Sequence, residues 1–203
     1  MAKKKKNKKS NWEDHYSRKA KKENFPARSV YKLKEIQKKF NLIKKGHKVL
    51  DLGCSPGSWL KYVAGLTSDG KAYGIDLKEV TEKLPNNAKT FVCDILDMDN
   101  DLDSKIGTDF DIILSDMAPA TTGRKDIDAA RSYNLCEMAL NVADERLKEG
   151  GHFVCKIFQG SEFEEFVILV KKCFKRYKIF KPESCRKQSK EIYIIGIEKN
   201  GGN

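Results

Sequence analysis

The chain has 203 residues, of which 39% are hydrophobic and 34% charged, and its formal net charge at pH 7 is +11. The length suits one globular domain, and without a long apolar run we expect neither a membrane span nor a secretion signal. The six cysteines form no Cys-x-x-Cys pair and show no zinc-ligand spacing with the three histidines. We therefore expect reduced thiols, a cytoplasmic protein and no metal site.

Much of the positive charge lies in residues 1–24, where lysines and arginines greatly outnumber acids and few residues are apolar. This composition predicts a basic disordered arm. No repeat and no Pro- or Gly-rich linker follows it, so residues 25–203 are expected to form a single domain. The basic excess favours a polyanion partner, nucleic acid first, although a lysine-rich tail can also serve solubility alone.

Helices and strands are predicted to alternate after this arm. Val30, Leu33, Ile36 and Phe40 repeat at helical spacing and predict the first helix. The later elements are strands over 48–52, 71–76, 90–94, 110–116, 152–158, 177–180 and 191–197, and helices over 58–66, 126–148 and 161–174. Gly150-Gly151 is expected to end the second of these helices. Ser161 with Glu164 predicts a capping box in the third.

This alternation predicts a doubly wound, Rossmann-like α/β fold with a mostly parallel seven-stranded sheet and helices on both faces. Only the loop 181–190 joins the last two strands. Because a parallel crossover needs a longer connection, this loop predicts an antiparallel hairpin at the edge of the sheet.

The segment Asp51-Leu-Gly-Cys-Ser-Pro-Gly57 leaves the first strand and enters a helix. Open α/β sheets bind their ligands at such a place, and Gly53 and Gly57 allow close approach of the backbone. The segment lacks the Gly-x-Gly-x-x-Gly pattern and the Lys-Ser/Thr of a phosphate loop. A pyrophosphate cofactor is therefore disfavoured.

Carboxylates lie at the ends of three predicted strands. Asp76 could accept the ribose hydroxyls of a nucleoside, Asp94 could accept the exocyclic amine of an adenine, and Asp116 ends the next strand. Any one of them could instead be a turn or cap residue. Three of them around a glycine turn suit a cationic adenosine cofactor such as S-adenosylmethionine.

Four residues far apart in the chain are candidates for proton abstraction beside that cofactor: Lys32, Asp116, Lys156 and Glu191. Lys156 interrupts the apolar run 153–158, where burying a charge is costly. Taken alone, Lys32 is typical of a solvated lysine or a phosphate contact, and Glu191 is typical of surface charge.

With these residues, the chain closely resembles the FtsJ/RrmJ (RlmE) family of ribose 2′-O-methyltransferases over residues 24–198. The matching segments are 28–36, 51–59, 115–119, 156–160 and 189–193. Cys54-Ser55 stands where bacterial relatives usually have two small apolar residues, and Ser58 replaces a common glycine. The cofactor is still expected because all three residues are small.

The resemblance implies the S-adenosylmethionine-dependent methyltransferase fold and assigns roles to residues. It implies a catalytic tetrad of Lys32, Asp116, Lys156 and Glu191. It implies cofactor contacts at Gly57, Trp59, Asp76, Asp94 and Asp116. Lys156 would be the general base that takes the proton of a ribose hydroxyl, and the charge of Lys32 together with partial burial would favour its neutral form. The mechanism needs no metal.

The substrate is expected to be RNA because the chemistry needs a 2′-hydroxyl. Arg28, Lys34 and residues 186–190 could line a phosphate track. The resemblance favours a uridine in the A-site loop of large-subunit (23S-type) ribosomal RNA, while a tRNA anticodon loop or an mRNA cap stays open. A non-catalytic RNA-binding ribosome-assembly factor and, more weakly, an NAD-dependent oxidoreductase are rival interpretations. We expect a monomer.

Overall fold

The computed structural model describes residues 15–98 and 100–201. Its helices are α1 (His15–Lys22), α2 (Val30–Phe40), α3 (Ser58–Thr67), α4 (Asn100–Ile106), α5 (Lys125–Arg146) and α6 (Phe163–Cys173), with a short 3₁₀ helix over Ile95–Asp97. Its strands are β1 (Lys48–Leu52), β2 (Lys71–Asp76), β3 (Ala88–Val92), β4 (Phe110–Ser115), β5 (Leu147–Phe158), β6 (Phe174–Phe180) and β7 (Glu191–Lys199).

The strands form one seven-stranded sheet in the order β3-β2-β1-β4-β5-β7-β6. The first five strands in that order are parallel, whereas β7 runs antiparallel to both β5 and β6. The Rossmann-like fold and the antiparallel edge hairpin are therefore confirmed. The sequence did not indicate that β7, rather than β6, lies against β5.

An apolar cluster covers each face of the sheet. Helices α4, α5 and α6 pack on the face that carries Ile113 and Phe153, and α2 and α3 pack on the face that carries Ile112 and Val154. Consecutive residues of a strand point to opposite faces, so β4 and β5 feed both clusters. This two-sided burial explains why the central strands are continuous apolar runs.

Helix α1 lies where the sequence predicted part of a disordered arm. Its Ala20 is only 2% exposed and packs with Val30 and Tyr31. This small cluster orders His15–Lys22 against α2, although the local composition is strongly basic. Residues 1–14 of the predicted arm lie outside the described residues.

At two junctions between a helix and the following strand, the boundaries differ from the prediction because strand pairing overrides local turn signals. Helix α5 ends at Arg146, and β5 begins at once with Leu147, which pairs with Phe110 ahead of a register shift. Gly150-Gly151 therefore lies inside a strand instead of ending a helix. Strand β6 begins at Phe174, three residues before the predicted start, because it pairs with β7 along its whole length.

The predicted capping box of α6 is wrong. The helix begins at Phe163, and its N-cap residue, Glu162, makes no side-chain capping hydrogen bond. The hydroxyl of Ser161 donates to the Glu162 carboxylate at 2.8 Å. Ser161 therefore precedes the N-cap position by one residue and bonds a side chain instead of a helical N–H.

No helix in the described part of the chain is both long and apolar enough to cross a membrane.

Candidate active site

The four predicted catalytic residues come together at the carboxyl ends of the parallel strands. Asp116 directly follows β4, Lys156 lies near the end of β5, and Lys32 lies in the first turn of α2. Glu191 is the first residue of β7 and pairs with Phe158 at the end of β5. Because β7 is antiparallel, its beginning rather than its end reaches this edge of the sheet.

Asp116 lies between the two lysines. Its Oδ1 atom is 2.9 Å from the Lys156 Nζ and 3.9 Å from the Lys32 Nζ. The Lys156 amine also donates to the main-chain carbonyl of Asp116, and Lys32 donates to Glu191 Oε2 at 2.7 Å. The order of contacts is therefore Lys156, Asp116, Lys32 and Glu191.

These charged groups are withdrawn from solvent. The side chain of Lys156 is 5% exposed, and those of Lys32, Asp116 and Glu191 are 12%, 15% and 11% exposed. Burying single charges would cost several kcal/mol each. The two lysine amines alternate with the two carboxylates, so each charged group has a polar neighbour of opposite kind that offsets this cost.

The surroundings of Asp116 and Lys32 determine the charge that each side chain carries at neutral pH. Burial alone would raise the pKa of Asp116, but Lys156 and Lys32 outweigh it, and the pKa of this carboxyl lies below its ordinary value. Burial alone would lower the pKa of Lys32, but Asp116 and Glu191 outweigh it and raise that pKa. Asp116 is therefore an anion and Lys32 a cation at neutral pH, and Lys32 is unsuited to be a base.

Sequence reasoning missed Tyr193. Its hydroxyl donates to Asp116 Oδ1 at 2.6 Å, and its buried ring lies 5.9 Å from the ring of Trp59. Burial, followed by the charge of Asp116, raises the pKa of Tyr193 well above its ordinary value, so the hydroxyl stays a donor. The available signal was its position two residues after Glu191, on the same face of β7.

A cleft of about 640 Å³, here called the large cleft, opens at the ends of β1, β2 and β4. Of the predicted cofactor residues, Asp76, Asp94 and Asp116 line it, together with Gly53. Since Asp116 belongs both to this cleft and to the chain of charges, a molecule held in the cleft would end beside Lys156.

Asp76 and Asp94 also have local structural roles. Asp76 accepts the N–H of Ser55 at 2.9 Å and that of Lys78 at 2.8 Å, which ties the glycine turn to the end of β2. Asp94 accepts the N–H of Leu96 at 3.0 Å and caps the 3₁₀ helix. Strand β3 ends at Val92, so Asp94 reaches the cleft from a loop and not from the strand end that was predicted.

Gly57 and Trp59 do not line the large cleft. Gly57 adopts a φ of +100°, and an added Cβ would lie 2.8 Å from Val80, so this glycine serves the turn into α3. The indole N–H of Trp59 donates to the Ser29 carbonyl at 2.8 Å. The ring borders a separate cavity of about 50 Å³ that Asp51 and Asp116 also line.

Asp51 has an environment that the sequence did not reveal. It is 1% exposed, and among the described residues neither carboxylate oxygen accepts a hydrogen bond. Burial, followed by the charges of Asp116 and Asp76, raises its pKa well above the ordinary value. A buried carboxyl without a donor is costly, and a cation or an N–H group beside it would remove that cost.

A second cavity of about 270 Å³, here called the arginine cavity, lies against Lys32 and Glu191. Arg28 and Arg186 line it, as expected for the predicted phosphate track. Lys34 lies elsewhere: its amine pairs with Glu23 at 2.6 Å and lies over the ring of Phe25. Across the described residues, no three His, Cys, Asp or Glu side chains come together as a metal would require.

Comparison with known proteins identifies this combination of fold and site. A crystal structure of a Plasmodium falciparum protein named as a ribosomal RNA methyltransferase matches with a TM-score of 0.75 and 28% identity, over 88% of this chain and all of that one. The fold is thus that of a Rossmann-like methyltransferase. The chain belongs to the family of FtsJ-like methyltransferases, whose model matches residues 25–199.

Relatives of similar length support this assignment. A protein of Desulforapulum autotrophicum named ribosomal RNA large subunit methyltransferase E is 62% identical over 193 residues, which are 95% of each chain. A protein of the same name from Desulfatibacillum aliphaticivorans is 52% identical over 99% of this chain and 98% of its own.

Proposed function

We propose that this methyltransferase transfers the methyl group of S-adenosylmethionine to a ribose 2′-oxygen of large-subunit ribosomal RNA, specifically to a uridine of the A-site loop. The observation that carries the proposal is the contact of Asp116, which lines the acidic cleft, with both Lys156 and Lys32, the second of which lines the basic cavity. The printed names of the relatives support large-subunit ribosomal RNA as the substrate, and the resemblance described above supports the uridine.

The large cleft and its surroundings fit S-adenosylmethionine. This cofactor carries a sulfonium and an ammonium cation, and Asp51, Asp76, Asp94 and Asp116 lie in or beside the cleft. Asp51 has no hydrogen-bond donor among the described residues, so the ammonium group is a fitting partner. Asp76 and Asp94 would hold the nucleoside end. When bound, S-adenosylmethionine supplies an electrophilic methyl group.

Lys156 is the proposed general base. In its neutral form, this amine would take the proton from the ribose 2′-hydroxyl and so make the oxygen a better nucleophile toward the methyl group, which would leave the sulfonium as a neutral thioether. Asp116 holds this amine through two contacts, one to its carboxylate and one to its carbonyl. Tyr193 holds the Asp116 carboxylate in turn. Positioning of this kind contributes much of the rate of a displacement between two bound reactants.

Lys32 is proposed to stabilise charge and not to accept a proton. It stays cationic because Asp116 and Glu191 raise its pKa, and it lines the arginine cavity, from which the RNA would enter. A cation there stabilises the negative charge that develops on the 2′-oxygen. Glu191 orients Lys32 through the contact of 2.7 Å.

Methyl transfer to two kinds of RNA tests the proposal. Wild-type protein and Lys156→Ala would be incubated with labelled S-adenosylmethionine and either large ribosomal subunits or bulk tRNA. We expect label in the large subunit with the wild type only, and mapping should place it on the A-site uridine. Label in tRNA alone would move the reaction to the anticodon-loop alternative. No label in either RNA would support the non-catalytic ribosome-assembly role.

A further inference from the structure

The loop over residues 181–190 forms one wall of the arginine cavity. It contributes Arg186 and Ser189, and the residues just before and within α2 contribute Arg28, Ser29 and Lys32 on the facing wall. Glu191, which follows the loop and begins β7, completes the lining. The two arginines therefore face one space of about 270 Å³ beside the proposed catalytic residues.

Basic residues outnumber acidic residues in the lining of this cavity. Among the described residues that line it, the one acid is Glu191, whose carboxylate is already bound by Lys32 at 2.7 Å. Arg186 is exposed and makes no ion pair within the described part of the chain. The pKa of Arg28 is lowered, first by burial and then by the charge of Arg186. Two guanidinium groups near enough to repel each other are stabilised by an anion between them.

Helix α2 holds the loop at both of its ends. Near the beginning of the loop, Glu35 accepts the N–H of Glu183 at 2.6 Å and the N–H of Ser184 at 3.0 Å, and Arg28 donates to the Ser184 carbonyl. At the end of the loop, Lys32 binds Glu191. Glu35 lies one helical turn after Lys32, so one face of α2 sets the place of both Arg186 and the tetrad.

The chemistry of the substrate calls for an anion site at this location. In RNA, the carbon next to the one that bears the 2′-hydroxyl carries the 3′-phosphodiester. A ribose that presents its 2′-oxygen to Lys156 and Lys32 must therefore place a phosphate nearby. Arginine suits that phosphate because its planar fork can donate two hydrogen bonds at once.

We propose that Arg28 and Arg186 bind the phosphodiester on the 3′ side of the target ribose, and that Glu35 is a positioning residue that holds the wall carrying Arg186. This assignment rests on the proposed 2′-O-methyl transfer to RNA. It goes beyond that function by giving the polynucleotide backbone a binding site separate from the cofactor and from the base.

Arg186→Gln tests the phosphate contact. Methyl transfer to large ribosomal subunits would be measured at several salt concentrations, together with the Kd for S-adenosylmethionine. We expect the KM for RNA to rise about tenfold, as for one charge-assisted hydrogen bond. We expect the slope of log KM against log salt to fall by roughly 0.7–0.9, the value for one lost phosphate contact. The Kd for S-adenosylmethionine should not change.

Arg176→Gln is the matched control. Arg176 is also exposed and lies on β6, toward the end remote from the tetrad, where it pairs with Glu198. The substitution removes the same charge and should leave the salt slope at the wild-type value. An equal decrease in both variants would show that net charge alone matters, and it would overturn the phosphate site.

Glu35→Ala and Glu35→Gln test the positioning role. We expect Glu35→Ala to raise the KM for RNA several-fold with an unchanged Kd for S-adenosylmethionine, because the loop loses two acceptors. Glu35→Gln keeps one acceptor oxygen and should recover part of that loss. A lower melting temperature of Glu35→Ala with a wild-type KM would show a purely structural role and would overturn this half of the proposal.

The controls separate this proposal from the proposed function. If the wild type transfers no methyl group to ribosomal RNA, both fail together. If the wild type is active and Arg186→Gln keeps the wild-type KM and salt slope, the phosphate site alone fails.

Discussion

The two sides of Asp116 differ in charge. The large cleft on one side is lined by Asp76 and Asp94, whereas the arginine cavity on the other is lined by Arg28 and Arg186. One small region of the molecule therefore attracts a cation from one direction and a polyanion from the other. The proposed reaction needs this arrangement, because a sulfonium cofactor and an RNA strand must meet without competing for one site.

Lys156 contacts Asp116, which lines the large cleft, and its replacement is expected to have the largest effect. Lys156→Ala should reduce methyl transfer by a factor of about 10²–10⁴, the usual contribution of a general base. Because the large cleft is not lined by Lys156, the Kd for S-adenosylmethionine should change little. Single-turnover transfer and calorimetric titration measure the two quantities.

Lys148→Ala is a control on the same strand. Lys148 pairs with Asp111 at the far end of β5, and this variant should keep its activity. Wild-type transfer by Lys156→Ala would contradict the role of Lys156 as base and would move the proton acceptor to another group.

Asp51→Asn tests the role of the acidic residues in and beside the large cleft in binding the cofactor. Removing a buried carboxylate should weaken binding of S-adenosylmethionine by about 10- to 100-fold, as for a hydrogen bond to a charged group. In the absence of cofactor, the variant should be more stable than the wild type at pH 7 by about 1–3 kcal/mol, because a buried neutral amide without a partner costs less than a buried carboxylate without one. Titration calorimetry and urea unfolding give these values.

The pH dependence has a definite sign. The pKa of Asp51 is raised in the folded protein, so the folded state binds more protons than the unfolded one between the two pKa values. Wild-type stability is then lost as the pH rises from the ordinary range of an aspartic acid toward the folded-state pKa. The advantage of Asp51→Asn should therefore shrink as the pH falls. A difference independent of pH would contradict a charged Asp51.

Tyr193→Phe tests whether the Tyr193 hydroxyl is needed to position the Asp116 carboxylate. The variant loses the hydrogen bond of 2.6 Å to Asp116 and should lower kcat several-fold, with a smaller change in the KM for RNA. The free energy of unfolding should fall by about 1 kcal/mol, typical of one hydrogen bond.

Tyr177→Phe on β6 is the matched control for that change. Tyr177 is partly buried far from Asp116 and contacts Lys171. It should affect neither kcat nor KM. Equal kcat values for Tyr193→Phe and the wild type would show that Asp116 is held without the hydroxyl.

Removal of residues 1–14 should have the smallest effect on the chemical step and should change only the binding of RNA. The segment carries six lysines, so its loss should weaken RNA binding and flatten the salt dependence of KM while kcat stays near the wild-type value. Helix α1 is kept because Ala20 packs against Val30 and Tyr31. An unchanged salt slope would mean that the segment has no part in RNA binding.

Local patterns in the sequence were sufficient for most of the fold. The bounds of β1 and β2 agree with the prediction to the residue because short apolar runs between polar turns are typical of buried strands. Boundaries set by distant pairing were wrong, as at Leu147, which joins β5 because it lies beside Phe110. Likewise, α1 forms because its buried Ala20 packs against Val30 and Tyr31 of α2.

The candidate site was likewise predicted in part from the sequence and decided in part by the tertiary structure. The residue types and the resemblance were enough to select Lys32, Asp116, Lys156 and Glu191. Their order of contact was decided by the tertiary structure, because β7 inserts against β5 in the antiparallel direction and brings Glu191 beside a lysine 159 positions earlier in the chain. The tertiary structure also decides that the Asp51 carboxylate has no hydrogen-bond donor among the described residues and that Glu35 accepts two N–H groups of the loop over residues 181–190. A hydrogen bond between residues far apart in the chain depends on the distance between two segments in the folded protein. The local sequence of either segment does not determine that distance.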